Sequence, residues 1–282
     1  MIVPGSTSQA LAARLAQELD EPLAPVSYER FPDGELRHGI GDVSPDRAVV
    51  VCSTTTSDAH VELLQLQDAA REAGADEVVT VIPYMGYARQ DEAFAAGDPV
   101  SARAVARAVS TGADRVLTVC PHERGVCEHF DPPAEVVSAA GLLAEPLPAE
   151  LADPVFLAPD AGATDLATAA RDAYGRGAVD HFEKTRHSGT EVEISPSDAT
   201  VAGRDVVAVD DIVATGSTMS EAVAVLDDRG AARTFVSCVH PLLVADAATK
   251  LHRAGVAGIW GTDTVERSVS EVSAAPAVAE RL

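Results

Sequence analysis

The chain of 282 residues is long enough for two domains, and its hydrophobic content of 46% with only 4% aromatic residues favours an α/β core of Val, Ala and Leu. Its 21 basic and 44 acidic residues give a net charge of −23, which excludes a nucleic-acid partner because phosphate backbones would be repelled. No apolar run approaches the roughly 20 residues that span a bilayer and no signal-peptide pattern opens the chain, so we expect no membrane partner and a cytoplasmic protein.

Short Val/Ile runs alternate with Ala-rich amphipathic stretches along the chain. The apolar runs predict strands at Ala48–Val51, Glu77–Ile82, Arg115–Val119, Val155–Ala158, Val206–Val209 and Thr234–Val239. The amphipathic stretches predict helices at Val61–Ala73, Ser101–Ser110, Thr164–Tyr174 and Met219–Asp228. This alternation indicates an α/β fold of largely parallel sheets flanked by helices, with right-handed crossovers.

An internal repeat indicates that the fold is duplicated. Arg47–Pro83 and Arg204–Pro241 both read as a strand, a polar turn, a helix and a second strand after a Gly-Ala pair, and Val51 precedes Pro83 by the same distance as Val209 precedes Pro241. Two generic βαβ units would share part of this pattern. We expect two domains, 1–142 and 143–282, which divide near a Pro-containing acidic stretch that starts at residue 143.

The segment Val206–Thr218, with the sequence VVAVDDIVATGST, has the composition of a loop that binds a ribose phosphate. A buried strand delivers Asp210 and Asp211 to its carboxyl end, where ligands of parallel sheets bind. Gly216 permits a positive φ, and the backbone N–H groups and hydroxyls around it can hold a phosphate. The aspartates can accept hydrogen bonds from ribose hydroxyls. The first copy of the repeat lacks both acids.

This segment resembles the phosphoribosyl-binding signature of the type I phosphoribosyltransferase fold. That family contains both transferases that consume phosphoribosyl diphosphate and the synthetase that makes it. The resemblance implies a ribose 5-phosphate site formed by Asp210, Asp211, Ala214, Thr215, Gly216, Ser217 and Thr218. Many bacterial and animal relatives carry an acid where this chain has Ala214, so no base role is transferred to that residue.

Two further segments resemble the ATP-binding elements of ribose-phosphate diphosphokinases, the synthetase family. Phe31–Glu35 matches an F-x-D-G-E turn, and Pro83–Asp91 matches a P-Y-x-G-Y-A-R-Q-D element. An arginine there can make bidentate phosphate contacts, and tyrosines can support an adenine ring. The resemblance implies that ATP is held by Asp33, Gly34, Glu35, Arg89 and Gln90.

His122 and Asp160 each follow a predicted strand, and the resemblance assigns both to Mg²⁺ sites. The residue before this histidine is Pro121, where the family usually has another residue. A zinc site formed by Cys120, His122, Cys127 and His129 is an alternative, although their spacing matches no CxxC knuckle.

Glu183–Arg186 is polar and opens a stretch that we expect to be a mobile loop. It matches the synthetase's catalytic K-x-R element, which implies that Lys184 is catalytic and that Arg186 contacts ribose 5-phosphate. Lys184 and Lys250 are the only lysines among the basic residues. A lysine at position 184 therefore indicates that a compact ammonium group is needed there, where an arginine would not serve.

The motifs occur in family order from Phe31 to Thr218. They imply an enzyme that transfers the diphosphoryl group of ATP to ribose 5-phosphate, needs Mg²⁺ and is a homo-oligomer. A phosphoribosyltransferase that consumes the product and a non-catalytic regulatory relative are the alternatives. The ATP elements disfavour the first, and the presence of Lys184, Arg186 and His122 disfavours the second. A Walker A motif does not occur.

The acidic, lysine-poor composition also predicts adaptation to a salt-rich cytoplasm. Concentrated salt shortens the range over which acidic side chains repel one another. We therefore expect a halophilic source.

Overall fold

The structure is a computed structural model that describes residues 1–186, 192–196 and 199–282, with the backbone alone for 184–186 and 192–196. The described residues form two compact units. The first comprises Met1–Ser138, Asp263–Glu266 and Ser273–Leu282, and the second comprises Ala139–Thr262 and Arg267–Val272. The expected domains, 1–142 and 143–282, differ from these units chiefly at the end of the chain, where two segments pack with the first unit. The domain division itself stays a prediction.

The first unit is built on a parallel sheet. Its described strands are β1 (Ile2–Pro4), β2 (Val26–Arg30), β3 (Leu36–Ile40), β4 (Arg47–Val51), β5 (Glu77–Ile82), β6 (Arg115–Val119) and β7 (Ala134–Val137). Five of these strands pair in parallel in the order β1-β4-β5-β6-β7, while β2 and β3 form an antiparallel hairpin. Because β4, β5 and β6 are almost wholly buried, their sequences are nearly continuous apolar runs.

The second unit contains a larger and mostly parallel sheet. Its strands in the described part of the chain are β8 (Val155–Ala158), β9 (Ala178–Arg186), β10 (Val192–Pro196), β11 (Asp205–Ile212), β12 (Arg233–His240), β13 (Gly258–Thr262) and β14 (Ser270–Val272). They pair in the order β10-β9-β8-β11-β12-β13-β14, and only β9 with β10 is antiparallel. The strand β11, which carries Asp210, therefore lies near the middle of its sheet.

Helices connect the strands of both sheets. Within the described residues they are α1 (Gln9–Leu19), α2 (Ser57–Glu72), α3 (Ser101–Ser110), α4 (Thr164–Tyr174), α5 (Ser217–Asp228), α6 (Ala247–Arg253) and α7 (Ala275–Ala279). Helix α2 shows why such elements begin where they do. The Thr56 side chain accepts a hydrogen bond from the N–H of Ala59, and Asp58 adds negative charge to the first turn.

The observed architecture confirms the predicted α/β fold with two parallel sheets. Every predicted strand and helix is present, and α3 and α4 have the predicted bounds. Apolar side chains of the strands and helices form separate cores, one around β4 and β5 and others around β11. In the part of the chain that the structure describes, no helix combines the length and apolar character needed to cross a membrane.

Candidate active site

Acidic side chains meet at one edge of the second sheet. Strands β8 and β11 are parallel neighbours, so Asp160, two residues beyond β8, and Asp210, near the end of β11, lie at the same carboxyl edge. Asp160 Oδ1 accepts hydrogen bonds from the N–H groups of Gly162 at 3.0 Å and Ala163 at 3.3 Å. This capping fixes the backbone after β8 and leaves the second carboxylate oxygen of Asp160 for other partners.

The environment of Asp210 disfavours its negative charge. Burial raises the pKa of this carboxyl group well above its ordinary value, and the Asp211 and Asp160 side chains act in the same direction. One backbone contact opposes the shift, since the N–H of Asp211 donates to Asp210 Oδ1 at 2.9 Å. A ligand that presents hydrogen-bond donors or positive charge to this carboxyl would restore the charged form. Ribose hydroxyls are donors of that kind.

The loop between β11 and α5 has its carbonyl groups bound on one side. The N–H groups of Leu243 and Val244 donate to the carbonyls of Val213 and Ala214, each at 3.0 Å. Lys250 Nζ lies 3.2 Å from the carbonyl oxygen of Thr215. A trans peptide points its C=O and N–H in opposite directions. The N–H groups that share a peptide bond with these three carbonyls belong to Ala214, Thr215 and Gly216. They therefore face away from the segment that begins at Leu243.

Backbone donors accumulate on that opposite side. Within the described residues, the N–H groups of Thr215, Gly216, Ser217 and Thr218 donate to no protein acceptor. Gly216 has φ 70°, which places it in the left-handed region, and it immediately precedes α5. Successive N–H groups at a helix N-terminus bind anions, and the exposed hydroxyls of the loop add donors. This loop can therefore hold a phosphate group.

The first residues of the corresponding turn in the first unit are buried and bonded within the protein. Cys52, Ser53 and Thr54 are buried. The N–H of Ser53 donates to Ser8 Oγ at 2.9 Å, and that of Thr54 donates to the carbonyl of Tyr84 at 2.9 Å. The two copies of the repeat thus share a fold, while the N–H groups that directly follow the strand of the first copy are bound within the protein.

The predicted ATP residues 33–35 lie at the tip of the β2–β3 hairpin. Gly34 has φ 98°, and its N–H donates to the carbonyl of Phe31 at 2.9 Å, so a tight turn requires glycine there. The side chains of Asp33 and Glu35 are exposed. Arg37 lies over the Phe31 ring, with its guanidinium carbon 5.6 Å from the ring centroid. The tip therefore presents acidic and aromatic groups to solvent.

Arg89 and Gln90 are exposed on a loop that follows β5. The loop is held by Gly86, whose N–H donates to Thr54 Oγ1 at 2.9 Å, and a Cβ atom at position 86 would come within 2.1 Å of the Thr54 carbonyl oxygen. Among the described residues, no hydrogen bond, ion pair or ring contact joins Arg89 or Gln90 to the hairpin tip. Within this unit, the five predicted ATP residues therefore occupy two separate places.

His122 is exposed and lies three residues beyond β6, at the carboxyl edge of the first sheet. Burial raises the pKa of the Cys127 thiol, which disfavours the thiolate that binds zinc. Within the described part of the chain, no three His, Cys, Asp or Glu side chains are grouped so that they could hold a metal ion. The zinc alternative therefore has no support from this geometry.

The segment that we expected to begin a mobile loop is a strand up to Arg186. Lys184 and Arg186 lie on β9, where their backbones pair with Ile194 and Val192 of β10. The prediction of a loop was wrong for these residues because a polar sequence can form a strand when an antiparallel neighbour completes its hydrogen bonds. The side chains of both residues and the residues 187–191 lie outside the described part of the structure.

Known proteins resemble the chain over its whole length. A family model described as the N-terminal domain of ribose phosphate pyrophosphokinase matches residues 1–112, and a phosphoribosyl transferase domain model matches residues 139–258. A ribose-phosphate pyrophosphokinase of Halobacterium salinarum is 64% identical over 283 residues, with 100% of both chains covered. The chain belongs to the ribose-phosphate pyrophosphokinase family.

More distant members of the pyrophosphokinase family agree with this assignment. A ribose-phosphate pyrophosphokinase of Methanosarcina mazei is 45% identical, with 100% of this chain and 94% of the other covered. The crystal structure of a phosphoribosylpyrophosphate synthetase from Mycobacterium smegmatis matches with a TM-score of 0.84 at 26% identity, covering 100% of this chain and 96% of that one. These full-length matches confirm the family expected from the motifs and disfavour a phosphoribosyltransferase.

One side chain of this pyrophosphokinase family member was missed by sequence reasoning. Lys250 contacts the loop of Gly216 from α6, although it lies more than thirty residues further along the chain. Its rarity was a usable signal, because Lys250 is one of only two lysines. That signal was applied to Lys184 alone.

Proposed function

We propose that the enzyme transfers the diphosphoryl group of ATP to the 1-hydroxyl of ribose 5-phosphate, giving 5-phosphoribosyl 1-diphosphate and AMP. In this reaction the sugar oxygen forms a bond to the β-phosphorus while the bond between that phosphorus and the α-phosphate oxygen breaks. The observation that carries the proposal is the row of unpaired backbone donors from Thr215 to Thr218 beside two acidic side chains. The names and full-length similarity of the relatives support it.

Ribose 5-phosphate is proposed to bind at the carboxyl end of β11. The N–H groups of the loop, together with the hydroxyls of Thr215, Ser217 and Thr218, would hold the 5-phosphate. Asp210 and Asp211 would accept hydrogen bonds from the ribose hydroxyls, which favours the charged form of Asp210. Ala214 would contribute only its backbone, because a methyl group neither donates nor accepts a hydrogen bond.

ATP is proposed to contact the two exposed segments of the first unit. Asp33, Gly34 and Glu35 would present acceptors and a backbone N–H to the nucleotide. Arg89 would contact phosphate oxygens, and Gln90 would offer both a donor and an acceptor. The exposure of these side chains supports a role in binding, since none is needed to fill a core.

Mg²⁺ is the cofactor that we propose. His122 in the first unit and Asp160 in the second are the residues that we assign to Mg²⁺ sites, and bound Mg²⁺ would neutralise charge on the phosphates of ATP. The second oxygen of Asp160 is a hard donor of the kind that Mg²⁺ prefers.

Lys184 and Arg186 are proposed to act on the reacting phosphates. Both residues are on β9, a direct neighbour of β8. Two positive charges that approach the β-phosphorus would stabilise the charge that develops there during transfer. We assign Lys184 the catalytic role and Arg186 a contact with ribose 5-phosphate.

The activity is tested by incubating the protein with ATP, ribose 5-phosphate and Mg²⁺ in concentrated KCl and following the products by phosphorus NMR. We expect AMP and a new sugar diphosphate in equal amounts. ADP in place of AMP, or no new sugar diphosphate, would contradict the proposal.

Lys184→Ala separates catalysis from binding in the same assay. We expect turnover to fall by about 100-fold or more, as for the loss of one charge that stabilises a transition state, while ATP affinity changes little. The control is Arg253→Met, which removes an exposed positive charge from α6. Lost ATP binding in Lys184→Ala, with normal turnover at saturation, would overturn the catalytic assignment.

We further propose that the enzyme is a cytoplasmic homo-oligomer. Its proposed substrates are soluble phosphate esters, and the described helices offer no membrane span. Light scattering coupled to size exclusion in concentrated salt gives the subunit number directly. A monomer at assay concentration would contradict the oligomeric part of the proposal.

A further inference from the structure

Helix α6 and the residues before it form a support behind the loop of Gly216. Two backbone N–H groups of this support, from Leu243 and Val244, bind successive loop carbonyls. A Cβ atom added to Gly216 would lie 3.2 Å from the carbonyl oxygen of Ala247, which shows how closely the two segments pack. The orientation of the loop peptides is therefore set by the support.

Lys250 provides the next contact in this series with its side chain. Its ammonium nitrogen lies 3.2 Å from the Thr215 carbonyl oxygen and 3.3 Å from Ser217 Oγ. Asp246 Oδ1 lies 3.5 Å from the same nitrogen, one helical turn earlier. The side chain is 33% exposed, so it remains partly hydrated while it bridges two points of the loop.

The ammonium group fixes the direction in which two loop groups point. An ammonium can only donate hydrogen bonds, so Ser217 Oγ accepts from Lys250 and its own hydroxyl hydrogen is directed elsewhere. The bond to the Thr215 carbonyl turns the following N–H, that of Gly216, to the opposite side. Both effects leave donors directed away from α6, on the side where the other unpaired N–H groups of the loop lie.

We infer that Lys250 is a positioning residue for the 5-phosphate of ribose 5-phosphate, a role that rests on the proposed function of the loop. Lys250 acts through the Thr215 carbonyl and the Ser217 hydroxyl, and it holds the loop in the form that presents its donors to the anion.

The test compares Lys250→Met with Lys250→Arg and with Arg253→Met, the matched control that removes a charge from the same helix. We expect Lys250→Met to raise KM for ribose 5-phosphate about tenfold or more, the usual effect of losing hydrogen bonds from a charged group. KM for ATP and kcat should change less than about threefold. Lys250→Arg should recover most of the lost affinity, and Arg253→Met should match the wild type.

A double-mutant cycle with Ser217→Ala tests whether Lys250 acts through that hydroxyl. We expect Lys250→Met to have a smaller effect on KM in the Ser217→Ala background than in the wild type. Additive effects of the two substitutions on KM would overturn the role of Lys250, and so would an unchanged KM for ribose 5-phosphate in Lys250→Met. In either case, AMP formation by the wild type would leave the proposed function of the enzyme standing. A wild-type protein that forms no AMP would overturn both.

If Lys250→Met lowers the melting temperature, Lys250→Gln provides a milder change that retains a donor. A KM for ribose 5-phosphate that stays at the wild-type value in a folded Lys250→Gln variant would also overturn the inference.

Discussion

Asp210 and Asp205 are carboxyl groups of one strand in opposite environments. Asp205 accepts hydrogen bonds from Arg233 and from the N–H of Ala152, and these contacts hold the pKa of Asp205 below its ordinary value. Burial and neighbouring acids raise the pKa of Asp210. Asp205 therefore stabilises the fold when it is charged, whereas the charge of Asp210 opposes folding. We attribute the presence of Asp210 to its proposed role in binding ribose hydroxyls.

This contrast predicts opposite changes in stability. Without substrates at neutral pH, Asp210→Asn should raise the melting temperature and Asp205→Asn should lower it, because only Asp210 carries an unfavourable charge. Asp210→Asn should also weaken binding of ribose 5-phosphate about tenfold or more. Thermal melts and calorimetric titration measure these effects.

The pH dependence follows from the signs of the two shifts. A raised pKa in the folded state means that the stability associated with Asp210 is present in acid and is lost as pH rises through the folded pKa. A lowered pKa means that the contribution of Asp205 is present above its unfolded pKa and is lost in acid. The difference between Asp210→Asn and wild type should therefore shrink as pH falls toward the ordinary carboxyl range, whereas that between Asp205→Asn and wild type should shrink only below this range. A melting temperature of Asp210→Asn below wild type at neutral pH would contradict this account.

At the residue scale, sequence reasoning identified groups that a contiguous motif contains. Asp210, Gly216 and their neighbours fall within one segment, so strand and turn chemistry predicted their edge position and conformation. Lys250 could not be found in that way, because its contact depends on how α6 packs behind the loop. The backbone donors of the loop lie within one contiguous segment of the sequence, whereas Lys250, which we propose orients them, reaches the loop only through tertiary packing.

At the scale of elements, one side chain of α2 binds the backbone of the β2–β3 hairpin at two points. Gln65 Oε1 accepts from the N–H of His38 at 2.9 Å, and Gln65 Nε2 donates to the carbonyl of Leu36 at 2.8 Å. The amide group thus binds the edge of β3 as a neighbouring strand would. The hairpin tip with Asp33 and Glu35 projects from this anchored base.

Gln65→Leu should loosen the hairpin without emptying the space that the side chain fills. We expect faster hydrogen exchange at the N–H of His38 and a KM for ATP raised about threefold to tenfold, since about two hydrogen bonds are lost. KM for ribose 5-phosphate should not change. Asp68→Asn, an exposed change on the same helix, is the control. Normal exchange at His38 in Gln65→Leu would show that the hairpin does not depend on this anchor.

The strands whose bounds were predicted are buried, although burial alone was not sufficient, since the short buried strand β1 was not predicted. The buried strands β5, β6 and β8 have the predicted bounds because their apolar runs have clear ends. The hairpin strands were not predicted, since β2 is largely exposed and its sequence gives no apolar alternation. Strand β9 was not predicted at all, and its polar end pairs with β10, a partner further along the chain.

At the scale of the whole molecule, the net charge of −23 predicts a strong dependence of stability on salt. We expect the melting temperature to rise as KCl increases, with most of the rise below about 1 M, where the Debye length falls from about 10 Å to about 3 Å. An uncharged osmolyte at matched water activity should not reproduce the rise in melting temperature that KCl causes below about 1 M. A melting temperature that is unchanged between low and multimolar salt would contradict the halophilic interpretation.

The first unit also depends on residues from the far end of the sequence. Glu266 accepts hydrogen bonds from the N–H groups of Ala10 and Leu11 at the start of α1, and Asp263 binds Arg14 at 2.9 Å. Helix α7 covers the apolar face of α1.

This arrangement has a consequence for biosynthesis. A ribosome that has finished the second unit, whose last segment is Arg267–Val272, has not yet supplied Ser273–Leu282 of the first unit. The first unit must therefore remain partly assembled while the second unit folds. The earlier half should be the one that requires protection from premature aggregation on the nascent chain.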